Sequence, residues 1–146
     1  MKRWIAILLV GGCCAGATIS AGAAEGEMPA SRPEVKKEIV ATIEGQLTAF
    51  RKGEVEKAYG FAAAELRAQK PLRTFAAIVE ANYPEIWANT RADYGIARDD
   101  GVRATLIVKV FSQESDATYD FTLVRERVGW RIYGVLRREP KQKGKV

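Results

Sequence analysis

The sequence predicts an α+β fold: three helices, then a four-stranded antiparallel sheet, packed as a cone that can enclose a pocket. Three observations point there. Apolar residues recur every three or four positions from Val35 to Phe50, the spacing of one helix face. After about Asn89 the apolar period changes to two, that of a half-buried strand. The later segments are joined by short links, which favours an antiparallel meander with the helices on one face of the sheet.

Ser31 with Glu34 three residues on fits a capping box, and Pro33 suits a first helical turn. Val35, Ile39, Ile43, Leu47 and Phe50 then form one stripe on a long helix that ends at Lys52-Gly53. A second helix is expected from near Glu54, with Val55, Ala58, Tyr59, Ala62 and Leu66 along one side and Phe61 flanking. A third begins at Pro71 or Thr74 and carries Leu72, Phe75, Ile78, Val79 and Tyr83. Pro84 closes it, leaving Ile86 and Trp87 in a connecting segment.

In the first strand Tyr94 and Ile96 alternate with Asp93 and Gly95, and Asp99-Asp100-Gly101 is a hairpin signal. Val102, Ala104, Leu106, Val108 and Val110 form one face of the second. After the polar loop Ser112 to Asp116, Tyr119, Phe121 and Leu123 face inward on the third. Val128-Gly129 turns the chain, and Trp130, Ile132, Gly134 and Leu136 are expected inward on the fourth.

The 146 residues suffice for one domain with a single core. Before it, Lys2 and Arg3 precede the apolar run Trp4 to Val10, and small residues follow to Ala24. This is a secretory signal layout. The expected organisation is a signal peptide at 1–24, a linker at 25–33, an α+β domain at 34–138 and a basic disordered tail at 139–146. The protein is therefore expected to be exported and periplasmic, with no transmembrane segment after signal cleavage. Lipidation at Cys13 and retention as an anchor are the alternatives.

Both cysteines, Cys13 and Cys14, lie in the leader, and the chain has no histidine. A mature chain without either residue has no disulfide, no thiolate nucleophile, no Ser-His-Asp or Cys-His system and no common zinc ligand set. No cofactor or metal is expected. Catalysis would fall to carboxylates, tyrosines or lysines. Setting aside Lys2 and Arg3 leaves 21 basic against 18 acidic residues. Much of the excess sits in the tail at Arg137, Arg138, Lys141, Lys143 and Lys145, a segment that could touch an anionic envelope surface. The body has no basic groove, so nucleic acid is not an expected partner.

Gln46-Leu47, Ala49-Phe50, Ala58-Tyr59, Phe61-Ala62, Phe75, Ile78-Val79, Tyr83-Pro84 and Gly129-Trp130-Arg131-Ile132 with Gly134 together resemble the bacterial domain-of-unknown-function family 4864 (DUF4864), over roughly Val35 to Leu136. That family is similar to the nuclear-transport-factor-two-like, cystatin-like superfamily. The likeness implies a curved antiparallel sheet wrapped around a long helix. It implies no activity. Members of the family often carry a cysteine near the end of the last strand, where this chain has Val135.

The polar groups expected near the cone interior are Gln46, Tyr59, Tyr83, Tyr94, Tyr119 and Trp130. Gln46 can bridge the long helix to a neighbouring backbone group or point to a pocket mouth. No carboxylate falls on an expected inner face. Asp93 and Asp120 alternate outward, and only a one-residue slip would turn either toward a tyrosine. Arg131 should face outward and pair with Glu126 or Asp120. Ile107, Phe111, Val124, Tyr133 and Val135 interleave with charges on the outer face and make a candidate homodimer surface. The function expected is a non-catalytic binding or assembly module with an apolar cone pocket for a small molecule. The alternatives are an isomerase or hydrolase with a carboxylate–tyrosine pair, and an envelope-associated protein held by its basic tail.

Overall fold

The structure, a computed structural model, describes residues 28–139. The expected signal peptide at 1–24, with Cys13 and Cys14, and the lysines of the expected basic tail lie outside the described residues. Five helices, α1 (Pro33–Arg51), α2 (Val55–Gly60), α3 (Ala64–Gln69), α4 (Leu72–Asn82) and α5 (Pro84–Trp87), precede four strands. These are β1 (Asn89–Asp99), β2 (Arg103–Ser112), β3 (Asp116–Glu126) and β4 (Gly129–Arg137), paired in that order and antiparallel throughout. The α+β class stands, with two more helices than expected.

The stripe on α1 forms as its spacing requires: Ile39, Ile43, Leu47 and Phe50 are buried in the core. Gly53 takes a φ of 70°, the left-handed conformation that glycine tolerates at a helix end. The amides of Gly53 and Glu54 thereby reach the Phe50 and Ala49 carbonyls. The expected capping box does not form. Arg32 occupies the cap position without a side-chain cap, and the buried Ser31 hydroxyl finds no partner among the described residues. Backbone pairing prevails there. Ser31 N donates to Ala97 O, and Asp99 N donates to Pro29 O, laying the start of the described chain along the free edge of β1.

The second expected helix is two helices for a similar reason. Between α2 and α3 the chain extends so that Ile132 N donates to Phe61 O and Ala63 N to Ile132 O. Helix propagation gives way to pairing on the edge of β4. Both sheet edges thus carry a covering segment, which withdraws unpaired strand groups from other chains. Pro84 does not only close α4. It also opens α5, where a proline's missing N–H and fixed φ cost nothing.

Strands β2 and β3 keep the expected phase, with Ala104, Leu106, Val108, Val110, Tyr119, Phe121 and Leu123 all buried. Val102 lies before β2 in the hairpin and is exposed. Two irregularities change the phase elsewhere. In β1 the register slips between Tyr94, opposite Val108, and Ala97, opposite Leu106. Ile96, expected inside, is therefore 60% exposed and Ala97 is buried in its place. In β4 Ile132 faces Leu123 but Gly134 faces Thr122, so Tyr133 is an extra residue. Beyond this bulge Val135 sits opposite the buried Phe121 and Arg137 opposite the buried Tyr119. Val135, expected on the outer face, instead packs toward the core. Leu136, expected inside, is 68% exposed opposite Asp120.

Candidate functional site

The β4 bulge forms one wall of a cavity of about 250 Å³. Phe50 of α1, Phe75 and Val79 of α4, Ile86 of α5 and Ile132 of β4 form its buried lining; Leu66, Ile78, Tyr133, Gly134 and Val135 lie nearer the surface. The volume lies below the ~300–1,000 Å³ of pockets for drug-sized ligands, which suits a smaller molecule. Phe50 and Phe75 present rings inclined by only 19° with centroids 6.2 Å apart.

Gln46 is the buried polar member of this lining, 3% exposed. The α1 period places it beside Leu47, where the helix passes α2, and its Nε2 donates to Ala58 O at 3.2 Å. This is the expected structural bridge, and it also fixes the amide's orientation. Gln46 lines the cavity, and its Oε1 accepts no hydrogen bond among the described residues. Lys70, partly exposed, is the one charged residue of the lining. It makes no ion pair among the described residues.

The tyrosines are dispersed. Tyr83 lines the cavity, and its hydroxyl donates to Val135 O at 3.1 Å. Tyr59 packs on Phe75 and donates to Lys70 O at 2.6 Å, tying α2 to the segment before α4. Tyr94 donates to Glu44 Oε2, and Arg51 holds the other oxygen at 2.8 Å. Burial raises the Glu44 carboxyl, but hydrogen bonds from Arg51 and Tyr94 outweigh it and hold the group below its ordinary range. Burial first, then Glu44, pushes the Tyr94 hydroxyl far up. Trp130 is buried, its indole N–H has no partner among the described residues, and it lies outside the cavity lining.

Tyr119 meets a carboxylate that sequence reasoning missed. Glu85, 2% exposed, accepts from the Tyr119 hydroxyl at 2.6 Å on Oε2. Its Oε1 accepts from Arg137 at 2.8 Å and from the Ser115 hydroxyl at 3.0 Å. Burial raises this carboxyl, but the bonds from Tyr119, its own backbone and Ser115, with the Arg137 charge, together hold it below the ordinary value. The Tyr119 hydroxyl is pushed far up, by burial and then by Glu85. This cluster pins α5 to the far ends of β3 and β4. Tyr119 in turn meets the Tyr83 ring edge-on at 5.9 Å, so the cluster also positions the cavity wall.

Of the outer-face residues, Ile107 and Tyr133 are exposed, while Phe111 and Val124 are half-buried. Arg91 stacks over the Phe111 ring at 3.8 Å. Asp93 pairs with Arg91 and Asp120 with Arg138, both away from the core as expected. Arg131 makes neither expected ion pair. It donates to Trp130 O, while Glu126 accepts from Ala64 N. Among the described residues no group of three His, Cys, Asp or Glu could hold a metal ion, and no helix is long and apolar enough to cross a membrane.

The family model described as Domain of unknown function (DUF4864) matches residues 32–145, spanning both the cavity and the Glu85 cluster. No curated protein and no solved structure matches the chain.

Proposed function

The chain belongs to the family Domain of unknown function (DUF4864), and we propose that this member is a non-catalytic binding module that takes a small apolar molecule into the cavity between α1, α4 and β4. One observation carries this. The cavity is lined by packed apolar side chains with a single buried amide, the usual make-up of a small-molecule site, in which few polar groups fix orientation. The signal layout of residues 1–24 supports export, and this reading takes its work to be in the periplasm. The outer sheet face, through Ile107, Phe111, Val124 and Tyr133, is the candidate surface for a homodimer.

A second reading, an isomerase or hydrolase with a carboxylate and a tyrosine, would have to use the Glu85–Tyr119 pair. The chemistry of the pair favours a structural clasp instead. A general base works best when its pKa lies near the operating pH. Glu85 is held low with both oxygens occupied, and Tyr119 is driven up. Neither lines the cavity.

The test is thermal unfolding with and without para-propylphenol, an uncharged probe, for the wild type and for Ile78→Trp, which fills the cavity from its more exposed side. Binding to the folded state raises the wild-type midpoint by mass action. The blocked variant should show no rise. Equal behaviour of the two proteins would contradict the cavity as the site.

A further inference from the structure

We propose that the ligand is an apolar monocarboxylate with a hydroxyl at the end remote from its carboxylate, a hydroxyaryl alkanoate being the simplest form. This rests on the binding function above and deepens it. Two polar side chains of the lining lie at different depths. Gln46 is almost wholly buried, whereas Lys70 is partly exposed.

The two groups ask for different chemistry. Gln46 gives one amide N–H to Ala58 O. Its second N–H and its Oε1 have no partner among the described residues, and Oε1 can only accept. A ligand that seals the cavity strips water from this oxygen, and a buried acceptor left without a donor is costly. The inner end of the ligand must therefore carry an O–H or N–H. Lys70 can only donate and carries a full charge. No carboxylate belongs to the lining to neutralise or repel. The outer end of the ligand is accordingly anionic. Phe50 and Phe75, whose rings stack on each other, add aromatic surface to the lining, which suits an aromatic body.

Calorimetric titration with three matched probes separates these contributions. Phloretate (para-hydroxyphenylpropionate) has both groups, hydrocinnamate lacks the hydroxyl and para-propylphenol lacks the carboxylate. Phloretate should bind tightest, with each analogue weaker by about fivefold or more, the scale of one lost hydrogen bond or one partly screened ion pair. Lys70→Met should reduce phloretate to the affinity of para-propylphenol and leave para-propylphenol unchanged. Three affinities within about twofold of one another, or an equal loss for all probes in Lys70→Met, would overturn the ligand assignment while the cavity still binds. Binding of none of the three would overturn both the assignment and the binding function.

Discussion

The Tyr119 hydroxyl donates to Glu85 Oε2 over 2.6 Å, and both side chains are shut away from water. The bond joins the inner face of β3 to the short helix after Pro84, and Arg137, brought inward by the β4 bulge, completes it. A buried carboxylate is tolerable only when paired and hydrogen-bonded in this way. The cluster stands beside the cavity and holds its Tyr83 wall in place.

Tyr119→Phe keeps the ring and removes one donor. The loss should be about 1.5–3 kcal/mol at about pH 7, the worth of a hydrogen bond to a charged group. The folded Glu85 titrates below its ordinary value of 4.5. Its contribution is therefore complete above that value and is lost as pH falls through the lowered native one. Urea unfolding at about pH 7 and about pH 3 should show the gap between wild type and variant shrinking in acid. A gap that widens in acid would mean that Glu85 is not held ionised.

Asn89, 4% exposed, ties three elements together. Its Nδ2 donates to Leu47 O at 2.9 Å and to Ile86 O at 2.8 Å, and its Oδ1 accepts from Arg51. Asn89→Leu fills the volume but orphans these groups. A loss of about 1–3 kcal/mol in denaturant unfolding is expected. A neutral substitution would show that the amide serves no structural purpose.

Gly45 lies where a Cβ would come within 2.6 Å of Phe61 Cζ. Glycine inside a helix costs about 0.5–1 kcal/mol relative to alanine, so Gly45→Ala would stabilise an isolated α1. Here it must displace a ring whose backbone is pinned to β4, and overpacking costs about 1–3 kcal/mol. Gly45→Ala should destabilise the wild type and stabilise a Phe61→Ala background. The sign in both backgrounds is read from unfolding midpoints.

The α1 stripe and the inner faces of β2 and β3 were legible because burial there follows a uniform period. Gln46 was legible too, as a polar residue beside the stripe. Glu85 was not. It follows Pro84, which reads as a helix stop, and neighbouring positions give no sign that Pro84–Trp87 forms a short helix that carries Glu85 inward. Arg137 and Val135 were misplaced by the Tyr133 bulge, and Ile96 by the slip near Gly95. One extra residue inverts every later side chain, and its position depends on the partner strand as much as on the strand itself. The break at Phe61–Ala63 was hidden likewise, since only the edge of β4, far along the chain, makes extension preferable to helix there.

The cavity as a ligand site is tested most directly by a ¹H–¹⁵N correlation titration of the wild-type protein with para-propylphenol. Saturable shifts should gather at the Gln46 side-chain amide and at the backbone amides of Ile78, Gly134 and Val135, which surround the cavity. No saturable shift, or shifts confined to Ile96, Ile107 and Leu136 on the opposite face of the sheet, would contradict it.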